Sequence, residues 1–270
     1  MGVGGAAWAT VLSQGVSGLL CLGYAWRRFP LLRMEKRHWT FDWSYAWKHL
    51  RLALPMAMQF VITGISVLVN QAVLNLFGSA AVAAFSAASK IHMLSEQVAV
   101  SFGTAMATYA GQNYGAGKVG RVREGLRKCA LACEGFTLGI MVIITAFGGV
   151  MSSWFIDGYH PEVIHQAHLY LFISALFYPA LTMLFLYRNT LLGLGNGVTP
   201  MLAGVCELLS RMIGAPVLGH FFGFTGLCWI NPIAWVTASG LLFLSYRKTM
   251  RNIRSVDSTV DASDSNKTMN

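Results

Sequence analysis

Apolar residues in this chain come in long unbroken runs. They do not alternate as in a half-buried strand, nor form the narrow stripe of a surface helix. Each run reaches about twenty residues, enough for a helix to cross roughly 30 Å of hydrocarbon. Each closes in a short turn or a polar loop. About seven such runs are predicted as helical spans, at 1–24, 50–77, 80–109, 130–156, 167–192, 201–221 and 225–246. After about residue 249 the chain becomes polar and rich in Ser, Asp and Asn, which predicts a disordered tail. Within lipid only helices and closed barrels satisfy the backbone. These runs are too long and too continuously apolar for barrel strands, so the predicted class is an all-α integral membrane protein.

Composition agrees with the pattern. Charged residues make up 11% and hydrophobic ones 55% of the 270 residues, whereas a soluble domain carries about 25% charge. The 28 glycines suit closely packed membrane helices. The formal net charge of +9 does not point to nucleic acid, because the basic residues sit between the apolar runs and there set topology. Arg27, Arg28, Arg33, Lys36, Arg37 and Lys48 separate the first two runs. Lys118, Arg121, Arg123, Arg127 and Lys128 separate the third and fourth. Arg247, Lys248, Arg251 and Arg254 follow the seventh. The alternate connections, near Gly78, Asp157 to Glu162 and Gly223, carry no Lys or Arg. The basic loops are read as cytoplasmic, which puts the C-terminus inside and the N-terminus outside in a multi-pass cell (plasma or inner) membrane protein. Cys21, Cys129, Cys133, Cys206 and Cys228 show neither metal-ligand spacing nor a disulfide framework, so no metal and no cofactor are expected.

Several motifs, taken in order, carry a family resemblance. Gly2 to Thr10 with Ser13-Gln14, then Leu54-Pro55 and Gln59, Ala87 to Ile91, and Gly111-Gln112-Asn113-Tyr114-Gly115-Ala116-Gly117-Lys118 come first. Arg188 with Leu192 to Asn196, Glu207-Leu208 with Arg211, and Pro232 to Trp235 follow. Together they resemble the last helix of the N-terminal lobe and the whole C-terminal lobe of multidrug and toxic compound extrusion (MATE) transporters. The resemblance implies a fold of two six-helix lobes around a central cavity, with alternating access by rocking. On that reading residues 1–25 are the last helix of the N-terminal lobe and 26–47 a cytoplasmic linker. Residues 48–248 are then the C-terminal six-helix lobe and 249–270 a cytoplasmic tail. The first run enters from outside without flanking anchors and has no signal-peptide features, so the chain is expected to be a fragment whose partner is the missing N-terminal lobe. The Gly111 to Lys118 motif is read as structural, with Gly111, Gly115 and Gly117 free to adopt φ > 0 in a tight turn. It does not have the spacing of a phosphate-binding loop, and Val119 follows the lysine, so no ATP-driven mechanism is expected.

Ionisable groups inside spans are costly and mark function; here they are Lys90, Glu96, Glu134, Arg188, Glu207 and Arg211. Glu207 and Arg211 stand at i and i+4 and are expected to form an intramembrane ion pair. Lys90, at mid-span, is the leading single functional candidate, with a structural bond to a neighbouring helix as the alternative. Glu134 and Arg188 are expected near cytoplasmic helix ends, where snorkelling suffices. Gln59, Thr63 and Asn70 on the second run, with Lys90, Met93 and Arg188, are the substrate-cavity candidates; interhelical hydrogen bonding or plain packing is the competing reading. No Asp or Glu lies between Lys48 and Ser95, and Thr63 stands where one branch of the family has a carboxylate. The chain therefore resembles the DNA-damage-inducible and clostridial-type branch, whose coupling carboxylate lies on the first helix of the first lobe, outside this sequence.

The resemblance thus implies a non-enzymatic antiporter, coupled to H+ or Na+, that exports amphipathic and often cationic compounds. A lipid-linked oligosaccharide or polysaccharide flippase of the same superfamily is the alternative. A retinal-type receptor would want a lysine in the last span, and 225–246 has none. An intramembrane enzyme would want a His-Glu-x-x-His or Gly-x-Ser-x-Gly pattern, and neither occurs.

Overall fold

The computed structural model describes residues 2–30, 40–156 and 160–267. Seven helices account for nearly all of them: α1 (Gly2–Arg28), α2 (Trp43–Asn75), α3 (Gly78–Gly115), α4 (Val119–Ser153), α5 (Pro161–Leu176), α6 (Tyr178–Gly193) and α7 (Val198–Lys267). The described backbone is all-helical, as the apolar runs predict. It divides into two compact units, Met1–Lys48 and His49–Asn270. Most of the expected cytoplasmic linker, including Arg33, Lys36 and Arg37, lies outside the described residues.

Two breaks separate the helices from the simple runs in the sequence. The fifth run is two helices, α5 and α6, bent by 53°. The break falls at Phe177, just before Tyr178-Pro179; Pro179 has no N–H and its ring crowds the preceding turn. The sixth and seventh runs are continuous in helix α7, interrupted at Gly223 with φ 59° and ψ −142°. Only glycine takes that conformation without strain. Beyond the break the chain folds back on itself: the hydroxyls of Ser210 and Thr237 share a hydrogen bond of 3.2 Å. In a straight helix residues that far apart would be about 40 Å from one another. Helix α7 therefore consists of two antiparallel arms.

Among the described residues four helices are long and apolar enough to cross a bilayer, α1, α2, α4 and α7, and the bent pair α5–α6 makes a fifth if taken as one span. Helix α3 is 38 residues long but is not among them. It departs from the expected third span because Ser89, Lys90, His92, Glu96, Gln97, Gln112 and Asn113 lower its mean hydropathy. Helix α7 continues past the seventh apolar run, to Lys267. No Pro or Gly follows Gly240 to stop it.

The core lies among α3 to α7. Ala84, Ala88, Ile144, Leu171, Leu184, Leu186, Leu191 and Leu242 are buried there. Apolar lipid gives helices little hydrophobic reason to associate, so close contact between small residues does the work. Helices α3 and α6 show how. A Cβ on Gly193 would stand 2.4 Å from the Ala107 carbonyl and 2.9 Å from the Ala110 Cβ, and one on Gly111 would lie 3.4 Å from the Gly193 carbonyl. Gly111 and Gly115 are thus helical residues of α3, and only Gly117 of the three takes positive φ. It stops α3 with the Lys118 N–H bonded to the Asn113 carbonyl and the Gly117 N–H to that of Tyr114.

Unit Met1–Lys48 is different in kind. Helix α1 exposes a continuous apolar face of Trp8, Leu12 and Leu19, with Thr10, Ser13, Gln14 and Ser17 on the opposite side. Such a face needs lipid or another protein surface against it.

Candidate functional site

A groove of about 650 Å³ opens in the unit that starts at His49, walled by α2, α3, α5, α6 and both arms of α7. Helix α2 contributes Gln59, Thr63 and Asn70 on one face, spaced by about one and then two turns. Helix α3 contributes Ser89, His92, Met93 and Glu96, and α6 contributes Arg188 and Asn189. Glu207 and Arg211 on the first arm of α7 meet Asn231 and Trp235 on the second. The turn at Gly223 brings these two arms to one site.

At its floor lies a charge cluster. Glu207 is buried between two arginines: one carboxylate oxygen bonds Arg188 Nη2, and the other stands 3.4 Å from Arg211 Nη1. Arg211 spreads its donors further. Its Nη1 also donates to Ser66 Oγ at 2.7 Å, and its Nε donates to Asn231 Oδ1 at 3.1 Å. Asn231 Nδ2 in turn donates to the Tyr170 hydroxyl at 3.2 Å. Arg188 is less well satisfied. Its guanidinium lies 5.7 Å from the Phe185 ring centroid, and its buried Nε has no hydrogen-bond partner. Two guanidiniums against one carboxylate leave this floor with an excess positive charge.

Aromatic groups line the wall above it. The His92 ring stacks on Trp235 at 5.4 Å and 15°. Its Nδ1 shares a 3.0 Å hydrogen bond with the Tyr178 hydroxyl, and its Nε2 lies 3.9 Å from Glu96. Phe85 meets Tyr170 edge to face at 5.0 Å. Nothing in the spacing of His92, Tyr170, Tyr178 and Trp235 could have united them, because the four come from four helices.

Most of the residues singled out from the sequence lie in this groove. Gln59 is buried in its wall, and the Thr63 hydroxyl donates back to the Gln59 carbonyl at 2.9 Å. Asn70 and Met93 line it, and Glu207 and Arg211 form the i, i+4 pair that the sequence predicts. Two residues differ from expectation. Arg188 does not snorkel: it is buried and held by Glu207, nineteen residues away across the α6–α7 turn. Lys90 is not in the groove; it is exposed, with its ammonium 5.2 Å from the Phe155 ring centroid. One residue along a helix is a rotation of about 100°, so Lys90 cannot share the direction of Ser89. Glu134 is half-buried on α4, with Oε1 unpartnered, and is not part of the groove. Among the described residues no three His, Cys, Asp or Glu gather as a metal site would require.

Comparison with known proteins places this arrangement. Residues 55–217 match the MatE family model. A probable multidrug resistance protein of Bacillus subtilis, YpnP, is 30% identical over 249 residues, covering 90% of this chain and 52% of that protein. A second from the same organism, YoeA, is 25% identical over 252 residues, covering 91% and 54%. The chain thus spans about half the length of the curated relatives it matches. In fold it is similar to a solved MOP superfamily transporter from Pyrococcus furiosus, with a TM-score of 0.83 at 20% identity, covering 94% of this chain and 58% of that one. The family-model match takes in the groove's α2 face, Arg188, Glu207 and Arg211, and the chain belongs to the MatE family of multidrug and toxic compound extrusion transporters.

Proposed function

We propose that this chain supplies the substrate-binding C-terminal lobe of an exporter of amphipathic compounds. The observation that carries the reading is the groove itself: about 650 Å³ walled by apolar and aromatic side chains with a few polar groups around a buried charge cluster, within helices otherwise built for lipid. Charges at membrane depth are costly and are kept where they serve a pathway. A cavity with mostly apolar walls and a few fixed polar groups suits drug-sized ligands. Met56, Met93 and Phe60 lend it a soft lining for substrates of varied shape.

On this reading Gln59, Thr63 and Asn70 offer hydrogen bonds, and Trp235 with Phe60 offers aromatic faces. Arg188 and Arg211 fix Glu207 and hold the floor rigid. The half-exposed Glu96 is the carboxylate available to a cationic substrate, because Glu207 is already shared by two arginines. Export proceeds by alternating access against a second six-helix lobe, as the chain's match to about half the length of its relatives supports. The coupling ion, H+ or Na+, binds a carboxylate on that lobe. The C-terminus lies on the cytoplasmic side and the first span enters from outside, a reading the basic loops support.

The test is ethidium efflux from an efflux-deficient bacterium expressing this chain together with the N-terminal lobe of YpnP. Export is expected with both parts and is expected to be lost with Arg211→Ala. An uncoupler stops it if protons drive it, and replacement of Na+ by K+ stops it if sodium does. Equal export by this chain alone would overturn the two-lobe reading.

A further inference from the structure

A second cleft, of about 850 Å³, lies between the start of α4 and the end of the apolar part of α7. It shares no residue with the substrate groove. Its polar wall holds three guanidiniums, Arg123 from α4 and Arg247 and Arg251 from α7. Among the described residues none of the three pairs with a carboxylate and no acidic residue lines the cleft. The nearest acid in sequence, Glu124, is taken by Lys128 at 2.6 Å. The floor is Tyr246, only 9% exposed, and its buried hydroxyl has no hydrogen-bond partner. Val119 and Gly120, the first residues of α4, complete that side. Lys118 caps the helix without a side-chain hydrogen bond, and the first amides of α4 have no intrahelical acceptor.

We infer that this cleft binds the phosphate of an anionic phospholipid headgroup. Three guanidiniums, a hydroxyl and a helix N-terminus all donate and none accepts charge, so the complementary ligand is a phosphate with several oxygens. Phe243 and Met250 supply an apolar wall beside the charges, as a lipid with a glycerol backbone and acyl chains needs and a free anion does not. The position favours lipid over a soluble ligand. The cleft sits at the charged end of two helices that are long and apolar enough to cross the membrane, and basic pockets at the ends of such helices capture anionic headgroups. Arg247 already lies 5.6 Å from the Phe243 ring centroid, which holds its guanidinium over the cleft. Such a lipid would tie α4 to α7 at the end where no loop joins them.

The test uses the full chain in dodecylmaltoside micelles, titrated with dioleoylphosphatidylglycerol and with dioleoylphosphatidylcholine and followed by native mass spectrometry. Retention of phosphatidylglycerol alone is expected. Each arginine near a membrane surface adds about fivefold in affinity. The double variant Arg247→Ala/Arg251→Ala is therefore expected to bind roughly twenty-fivefold more weakly. Arg121→Ala/Arg127→Ala, which removes equal charge outside the cleft, is expected to bind as the unaltered chain does. If the first double variant does not fold, as judged by helical circular dichroism, Tyr246→Phe removes only the buried hydroxyl and is expected to weaken binding alone. Equal retention of both lipids, or equal losses in the two double variants, would overturn the proposal. So would displacement of the phosphatidylglycerol by equimolar inorganic phosphate, which would make the cleft a free-phosphate site. If Tyr246→Phe binds like the unaltered chain, the cleft is not where the lipid sits.

Discussion

Glu207 stands between two guanidiniums, and its partners are unequal. Arg211 has Ser66 and Asn231 as well, while Arg188 has Glu207 alone. Replacing Glu207 by Leu therefore strands one buried charge completely and the other only in part. The expected cost is about 3–5 kcal/mol of stability, the range for breaking a buried pair from one side. Arg188→Met alone leaves Glu207 on Arg211 and should cost less. Combined with Glu207→Leu it removes the stranded charge, so the double variant is expected to be more stable than Glu207→Leu alone, and to cost about 0.5–3 kcal/mol less than the sum of the two single variants. Unfolding of the four proteins in detergent measures this cycle, and simple additivity would mean that the two groups do not hold each other. The Glu207–Arg211 half of the cluster was legible in the sequence because four residues make one helical turn. The Arg188 half was not, because it depends on how α6 packs against α7.

Among the helices, fit is set by the smallest residues. Gly193 meets α3 where a Cβ would lie 2.4 Å from a backbone carbonyl, and backbone cannot swing aside as a side chain can. Gly193→Val is expected to separate α3 from α6, cutting the yield of folded protein and lowering its melting temperature in detergent. Gly135, on α4, has nothing within 4 Å of its would-be Cβ. Gly135→Ala is therefore expected to be neutral or to stabilise by about 0.5–1 kcal/mol, the usual gain of alanine over glycine within a helix. Equal damage from the two would show that glycine acts here through helix propensity and not through close packing. Helix existence was readable from apolar runs alone, but helix ends were not. Helix α4 begins at Val119, about eleven residues before its apolar run, because Val122 and Leu126 turn one face of those three basic turns into the core. The 53° bend before Pro179 and the reversal at Gly223 divide the chain in ways that hydropathy, which averages over such points, conceals.

At the scale of the whole molecule, the groove must hold water at membrane depth if it carries polar substrates, whereas the outer faces of the helices must not. Maleimide reacts with the thiolate, which forms only where water reaches the sulfur. Cysteine placed along the helices therefore maps the wet path. In a chain whose five native cysteines are replaced, Thr63→Cys and Asn70→Cys are expected to react readily with a sulfonated maleimide. Phe136→Cys, exposed on α4 away from the groove, is expected to stay unreactive in the bilayer. Ethidium should slow the two groove positions. It should leave Lys90→Cys unchanged, since Lys90 points to Phe155 and not into the cavity. Applied to sealed vesicles of known orientation, the same reagent also reports sidedness. Cysteines among the basic residues after Gly117 should react only from the cytoplasmic face, because lysines and arginines are retained on that side during insertion. Protection by ethidium at Lys90→Cys and not at Asn70→Cys would move the substrate site to the outer face of α3. Lys90 would then regain the role that its mid-span position suggests, and the Arg188–Glu207–Arg211 cluster would be left as a purely structural clasp.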